Sequence, residues 1–222
     1  DREERPGACT AIRKDNYFGR NYDWYYSNQA EFVVRTARSS HSFASIGIAG
    51  SFSKLTNDFV QSGVKDELYF ILPFQLQDGI NEYGVTASIN VVPADYGYNK
   101  TEPIISKKHD ISALMLIRFI LDTFKTAQEA VEYIRDYVSV YFPQYLHDQH
   151  YETHYLIADV NETYVLEFVS NQAVFINIDN QPYITNFHIY DTYIPGSVYT
   201  PETQHDEYNA LDFNRITPNG SG

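Results

Sequence analysis

Apolar and polar residues alternate along the first third of the chain, a pattern that predicts short β-strands. Residues 10–13 and 17–22 flank the turn-forming cluster Lys14-Asp15-Asn16, which is typical of an antiparallel hairpin. Further strands are predicted at residues 31–36, 44–49, 69–72 and 84–92. Turns are predicted at Asp78-Gly79 and Glu82-Tyr83-Gly84, because both are rich in turn-forming residues.

Helical periodicity replaces this alternation in the middle of the chain. Apolar residues recur every three or four positions from 112 to 124, which predicts an amphipathic helix. A second helix is predicted to begin at Thr126, where Thr126 and Glu129 form a capping box, and its apolar stripe runs to Val138. Strands are predicted again at residues 153–159, 163–169, 173–178 and 183–186. This order predicts an α+β fold of antiparallel strands with helices packed on the sheet faces.

The composition indicates one globular domain with an acidic surface. The chain has 222 residues, 43% of them hydrophobic, and neither an internal repeat nor a Gly/Ser/Pro linker divides it. Its net charge of −13 argues against nucleic acid as a partner, because an acidic surface repels phosphate groups. No apolar run approaches the ~18 residues of a membrane span, so no membrane partner is expected. The charged start lacks an apolar signal-peptide region, which favours a cytoplasmic location, with a leader already removed as the alternative.

The single cysteine, Cys9, precedes the first predicted strand and follows two small residues, Gly7 and Ala8, where the chain could be cut. The simplest interpretation of a lone cysteine is a small buried apolar residue. However, the predicted hairpin folds Arg20 and Asp23 back beside Cys9. A guanidinium there favours the thiolate over the thiol, and a carboxylate can hold the amine of an N-terminal cysteine. An exposed Arg20–Asp23 ion pair of little consequence is the alternative.

Several short motifs occur in a fixed order from Cys9 onward. They are Cys9-Thr10-Ala11, residues 18–24 (Phe-Gly-Arg-Asn-Tyr-Asp-Trp), residues 78–84 (Asp-Gly-Ile-Asn-Glu-Tyr-Gly) leading to Ser88-Ile89-Asn90, residues 117–122 and 127–130 of the two predicted helices, and residues 183–186 (Tyr-Ile-Thr-Asn). The ordered set resembles the choloylglycine hydrolase family of linear-amide hydrolases. These are N-terminal-nucleophile enzymes, and they include bile salt hydrolases and penicillin V acylases.

The resemblance implies a mechanism and a set of site residues. Cys9 would be the nucleophile and, once residues 1–8 are removed, its own α-amine would be the general base. Arg20 would face the thiolate and the substrate carbonyl, and Asp23 would orient the amine. Asn90 and Asn186 would donate to the oxyanion of the tetrahedral intermediate, although each could also be a simple strand-end turn residue. Neither a cofactor nor a metal is expected.

The family's fold is a four-layer αββα sandwich, and the motifs that carry the resemblance cover roughly residues 9–190. We predict one such domain in residues 9–222, which could be incomplete at its C-terminal end, behind a propeptide or pre-nucleophile segment, residues 1–8. The implied reaction is hydrolysis of a small-molecule amide, such as a bile-acid amide, penicillin V or an N-acyl amine. Three features depart from the family: the residues before Cys9, the poor match of Arg215 to a later active-site arginine, and a shorter chain. A non-catalytic relative that binds an acyl ligand or partner, and an acyltransferase, therefore stay open. The resemblance also suggests a homo-oligomer.

Three histidines, His147, His150 and His154, lie within eight residues of one another after the second predicted helix. Such a cluster suggests a metal site. No cysteine accompanies it in the sequence and the three side chains need not converge, so an exposed polar loop is the favoured prediction.

Overall fold

The computed structural model describes residues 9–22, 31–50, 70–93, 109–142, 151–169, 172–180, 182–186 and 189. Within them the strands are β1 (Thr10–Lys14), β2 (Tyr17–Asn21), β3 (Glu31–Thr36), β4 (Ser45–Gly50), β5 (Leu76–Asn81), β6 (Thr86–Pro93), β7 (His109–Ser112), β8 (Val138–Tyr141), β9 (Tyr151–Ala158), β10 (Thr163–Val169), β11 (Gln172–Asn177) and β12 (Tyr183–Ile184). The α-helices described are α1 (Leu116–Thr123) and α2 (Ala127–Tyr137), and short 3₁₀ helices cover Leu72–Phe74 and Ala113–Met115.

The described strands form two antiparallel sheets and one parallel pair. A seven-stranded sheet, here called the large sheet, has the order β11-β10-β9-β6-β5-β4-β3. A three-stranded sheet, here called the small sheet, has the order β12-β1-β2, and β7 pairs in parallel with β8. Strand β1 packs against β6 and β9, so the small sheet lies over the middle strands of the large sheet.

The two faces of the large sheet have different neighbours. Alternate residues of β6 (Ala87, Ile89 and Val91) are buried in one apolar cluster with the apolar residues of α1 and α2, on what we call the helix face. The intervening residues point the other way, toward the small sheet, on what we call the site face. A smaller apolar cluster there includes Ala11 of β1 and Leu156 of β9. The predicted α+β class is confirmed.

Helix α2 begins where the sequence predicts, and its first turn is satisfied from three sides. The Thr126 hydroxyl oxygen accepts the backbone N–H of Glu129 at 3.1 Å, and Asp159 Oδ2 accepts that of Ala127 at 2.8 Å. Glu129 Oε2 accepts the N–H of Lys125 at 3.2 Å, one residue earlier than a standard capping box. These bonds satisfy donors that the helix itself leaves unpaired. Neither α1 nor α2, the α-helices of the described residues, is long and apolar enough to cross a membrane.

Two predictions about the segment before β6 are wrong. Phe70 and Ile71, predicted within a strand, are helical and run into the 3₁₀ helix that contains Pro73. Proline lacks a backbone N–H and fixes φ near −65°, which suits a helical turn better than a strand. The predicted turn at Asp78-Gly79 lies inside β5 instead.

Gly79 is required by packing rather than by a turn. A Cβ on Gly79 would lie 2.6 Å from Leu121 Cδ1 and 2.8 Å from the Ile46 carbonyl oxygen, so the absent side chain lets α1 approach the sheet. The turn before β6 is made at Gly84, whose φ of +84° is costly for other residues.

The parallel pair β7–β8 is an element that the sequence patterns do not predict. Both strands have four residues. Val138, predicted to end the apolar stripe of the second helix, instead begins β8 directly after α2. It is still buried, so the apolar pattern located the core correctly but not the change from helix to strand.

Candidate active site

Cys9 lies immediately before β1, at the point where the small sheet meets the site face. The antiparallel register pairs Ala11 with Ile184, and extending it by two residues places Cys9 opposite Asn186. The backbone N–H of Cys9 donates to Asn186 Oδ1 at 2.6 Å. Cys9 is 1% exposed but belongs to neither apolar cluster of the described residues. Its backbone nitrogen is thus bonded to a buried polar side chain, the amide of Asn186.

Asn186 connects the two sheets through its side-chain amide. Its Oδ1 accepts from Cys9, and its Nδ2 donates to the Val91 carbonyl oxygen at 2.6 Å. Asn186 lies two residues after β12, because the strand predicted to run to residue 186 ends at Ile184. An amide has two N–H groups, so one donor of Asn186 remains beyond the bond to Val91.

Asn90 lies on β6 and is fully buried on the site face. Its Nδ2 donates to the Thr185 carbonyl oxygen at 3.0 Å and lies 3.5 Å from that of Ile184. Its Oδ1 has no hydrogen-bond partner in the described part of the chain. The two predicted asparagines are therefore brought to the same place, since Asn90 binds the residue that precedes Asn186.

Arg20 reaches the same stretch of β6 from the neighbouring strand of the hairpin. Arg20 pairs with Ala11, and its side chain is 3% exposed, so the alternative of an exposed arginine does not apply. Its Nη2 donates to the Ile89 carbonyl oxygen at 2.7 Å, and its guanidinium lies 4.6 Å from the ring centre of Tyr22. Nη1 lies 3.8 Å from Asp78 Oδ2. Among the described residues, neither Nε nor Nη1 has a hydrogen-bond partner.

The register of β6 explains why these side chains converge on it. Strand β6 pairs with β9 from Thr86 to Pro93, but its pairing with β5 covers only Thr86 to Ser88. Beyond Ser88, the carbonyl oxygens of Ile89 and Val91 accept side-chain donors from Arg20 and Asn186. Cys9, Arg20, Asn90 and Asn186 thus share one region. Asp23 and Arg215 lie outside the described residues, and their roles stay predictions.

Two further buried residues of the region, His154 and Glu167, were not predicted to belong to the site. His154, predicted in an exposed loop, is 0% exposed within β9, so that prediction is wrong for His154. His147 and His150 lie outside the described residues. Glu167 lies between Leu166 and Phe168 in the predicted strand. A charged residue inside an apolar strand was the signal that could have identified it.

A cleft of about 480 Å³ opens between the β1–β2 hairpin and strands β4 and β5. Its lining includes apolar side chains and Asp78, whose carboxylate lies 3.8 Å from the Arg20 guanidinium. The apolar members include Phe18, Ile46, Ile48, Ile80 and Val160. Among the residues that the structure describes, no group of three His, Cys, Asp or Glu side chains is placed to hold a metal ion.

The fold and the buried cysteine together define the class: a layered α+β sandwich with a cysteine at the start of a central strand. A family model described as acyl-coenzyme A:6-aminopenicillanic acid acyl-transferase matches residues 11–195, and the chain belongs to this family. The resemblance to choloylglycine hydrolase-like proteins is thereby confirmed. No curated protein sequence matches the chain.

Solved structures with the same fold include two variants of the conjugated bile acid hydrolase from Clostridium perfringens. The cysteine-to-alanine variant has a TM-score of 0.57 and 19% identity, covering 82% of this chain and 54% of its own. An arginine-to-leucine variant has a TM-score of 0.55 and 17% identity, covering 83% and 54%. Penicillin V acylase from Agrobacterium tumefaciens is more distant, with a TM-score of 0.42 and 14% identity. That match covers 82% of this chain and 44% of the acylase.

The two bile acid hydrolase structures establish the fold. The αββα sandwich expected from the sequence is confirmed, and the described residues supply one helix layer and both sheets. The chain spans about half the length of the bile acid hydrolase structures it matches, 54% in each case.

Proposed function

We propose that the chain is a cysteine amidohydrolase of the N-terminal-nucleophile type, which cleaves a linear amide C–N bond of a small molecule through a thioester on Cys9. The observation that carries the proposal is the 2.6 Å hydrogen bond from the Cys9 backbone nitrogen to Asn186 Oδ1. Cleavage of the Ala8–Cys9 peptide bond would turn this nitrogen into an α-amine that an acceptor already holds. Such an amine keeps its lone pair for the thiol proton.

The first half of the proposed reaction forms the thioester. The Cys9 thiol gives its proton to the α-amine while Sγ attacks the amide carbonyl carbon, which makes a C–S bond and a tetrahedral oxyanion. Collapse of this intermediate breaks the C–N bond. The leaving amine takes the proton from the α-ammonium group, and the acyl group stays on Sγ.

The second half releases the acid. Water attacks the thioester carbon while the α-amine accepts one of its protons. The C–S bond then breaks, the carboxylic acid leaves, and the proton returns from the amine to the thiolate. No group outside the chain and the two reactants is consumed.

Asn90, Asn186 and Arg20 are the proposed stabilisers of the oxyanion. Asn186 retains an N–H beyond its bond to the Val91 carbonyl oxygen, and Arg20 has two buried nitrogens without hydrogen-bond partners among the described residues. The Asn90 amide would have to exchange its long 3.5 Å contact with the Ile184 carbonyl oxygen for the oxyanion. Donors fixed in a water-poor site stabilise developing negative charge by several kcal/mol, about 3 for a single donor. Asp23 keeps its proposed role of orienting the amine.

The proposed substrate class is a linear amide of an apolar acyl group. Conjugated bile acids, which give the Clostridium perfringens hydrolase its name, are the first compounds to test. They are anions, and a chain with a net charge of −13 does not attract anions from a distance. The buried Arg20 would have to supply the local positive field.

Acyl transfer to an amine is the second candidate, because the family model is described as an acyl-transferase. It shares the thioester and differs only in whether an amine or water attacks it. Adding 6-aminopenicillanic acid to a working amidase assay separates the two, since a transferase forms the new amide in preference to the free acid. A non-catalytic acyl-binding relative would form neither product.

The test of the proposed function combines intact mass with activity. Mature protein is expected to begin at Cys9 and to hydrolyse an amide substrate. Cys9→Ala is expected to keep residues 1–8 and to lose activity by about 10³-fold or more. Amide hydrolysis that survives in Cys9→Ala, or a chain that is active with residues 1–8 still attached, would contradict the proposal.

A further inference from the structure

His154 and Glu167 form a buried pair on the site face that the proposed reaction does not use. Both side chains are 0% exposed, and His154 Nδ1 lies 3.0 Å from Glu167 Oε1. They come from adjacent strands, β9 and β10, and lie on the face that is covered by the small sheet.

The pair contacts the chain on both sides of Asn186. His154 Nε2 donates to the Thr185 carbonyl oxygen at 2.8 Å, because a carbonyl oxygen can only accept. The same oxygen accepts from Asn90. Glu167 Oε1 accepts the backbone N–H of Ile189 at 2.8 Å. The same pair is thus bonded to Thr185, one position before Asn186, and to Ile189, three positions after it.

We propose that His154 and Glu167 are positioning residues, which clamp the backbone at Thr185 and at Ile189 so that Asn186 Oδ1 faces the Cys9 nitrogen. The catalytic consequence rests on the proposed function, whereas the clamp itself does not. Fixing the Thr185 carbonyl sets the orientation of the peptide group that leads into Asn186. The side chain of Asn186 then needs little further ordering to hold Cys9 and Val91.

Stability alone does not explain the pair. Burying a histidine and a carboxylate costs free energy of desolvation, and apolar residues of similar volume are often as stabilising or more so. The neighbouring positions Leu156 and Val165 fill the same layer with apolar side chains. The His154–Glu167 pair differs from them in that it forms hydrogen bonds to the backbone on both sides of Asn186.

Hydrogen exchange at residue 9 tests the clamp without any enzymatic activity. A Cys9→Ala background keeps the nitrogen of residue 9 as a peptide N–H. His154→Ala is expected to speed exchange of that N–H about tenfold, since the acceptor Asn186 is no longer held. His154→Gln should restore most of the protection, because its amide nitrogen can still donate to Thr185.

Tyr155→Phe is the matched control for these variants. Tyr155 is the next residue of β9, is equally buried, and lies on the helix face, where its hydroxyl donates to the Ala113 carbonyl oxygen at 2.8 Å. Its loss should lower stability without changing exchange at residue 9.

Kinetics of the processed protein provide the second readout. His154→Ala is expected to lower kcat by about 10²-fold with KM little changed, the size expected from a misplacement near 1 Å. His154→Gln and Glu167→Gln should retain most of kcat, and Glu167→Ala should not. A purely structural role would lower the folding stability of all these variants and leave kcat of the folded protein alone.

Each outcome decides the proposal. Unchanged exchange at residue 9 in folded His154→Ala, or equally fast exchange in Tyr155→Phe, overturns it. If His154→Ala does not fold, Glu167→Ala replaces it. Several-fold faster exchange at residue 9 is then expected, and unchanged exchange would overturn the clamp. If processed wild-type protein has no amidase activity, the proposed function fails while the exchange result still decides the clamp.

Discussion

The two faces of the large sheet are built from the same strands but carry different chemistry. On β6 the helix face presents Ala87, Ile89 and Val91, whereas the site face presents Thr86, Ser88 and Asn90. Both sets are buried. The alternation that makes β6 a strand therefore supplies an apolar core on one side and a polar interior on the other.

The polar side is kept at a cost in stability. Asn90 Oδ1, Ser88 Oγ and two nitrogens of Arg20 are buried without a hydrogen-bond partner among the described residues. An unsatisfied buried polar atom costs about 1–3 kcal/mol. Such costs are typical of functional sites, and the apolar cluster under the helices offsets them. The helix face therefore stabilises the fold, and the site face carries the buried polar groups of the candidate site.

Of these changes, removing the Asn186 side chain should lower activity most. It should not lower the stability that the helix face provides. We expect Asn186→Ala to slow amide cleavage by about 10³-fold, since one acceptor for the α-amine and one oxyanion donor are lost together. Single-turnover kinetics and thermal melting would measure both sides of the comparison. A variant that melts far below the wild type with its rate intact would contradict the assignment of functions to the two faces.

Truncating the Ile120 side chain should lower stability and leave the rate of amide cleavage nearly unchanged. Ile120 belongs to α1, is 0% exposed and packs in the apolar cluster of the helix face. Ile120→Ala is expected to lower the free energy of unfolding by about 3 kcal/mol, because it opens a cavity in the apolar cluster. Urea unfolding would measure this loss. The rate per folded molecule should stay within twofold of the wild type, and a large fall in that rate would show that the faces are not separable.

Alkaline pH should weaken the helix face through Tyr155. Burial raises the pKa of Tyr155 above its ordinary value. The unfolded chain loses the phenolic proton first as pH rises above about 10, so stability falls there by up to about 1.4 kcal/mol per pH unit. Unfolding of wild type and Tyr155→Phe between pH 9 and 11 would measure the difference, and equal slopes would contradict this assignment.

The smallest expected effect is a gain in stability on removing the Ser88 hydroxyl. Ser88 is fully buried on the site face, and its hydroxyl lacks a hydrogen-bond partner in the described structure. Ser88→Ala should therefore raise the free energy of unfolding by about 1 kcal/mol. Thermal melting would detect it as a small increase in Tm, and a clear decrease would mean that the hydroxyl is satisfied in the folded protein.

Local patterns predicted the parts of the fold that depend on local geometry. The β1–β2 hairpin follows from the turn residues around Asp15, and α2 begins at the cap that Thr126 makes. The same patterns misplaced Asp78-Gly79, because the close approach of Leu121 to Gly79 depends on a helix some forty residues away. A glycine required by tertiary packing looks the same in the sequence as a glycine required by a turn.

The candidate site could be predicted only in part for a similar reason. The family motifs pointed to Arg20, Asn90 and Asn186, and the structure brings these residues together with Cys9. The pair of His154 and Glu167 depends on the register of β9 against β10 and on which face each residue takes. Neither is visible in a single sequence, so an isolated charge in an apolar strand was the only signal available.

Trapping the acyl-enzyme tests the central claim most directly. Processed protein is mixed with an amide substrate, quenched in acid within the first turnover and digested for mass spectrometry. The account predicts an acyl group on the peptide that begins at Cys9, released by hydroxylamine as expected for a thioester. Free acid formed at the wild-type rate with no acyl group on Cys9 at any time would contradict it.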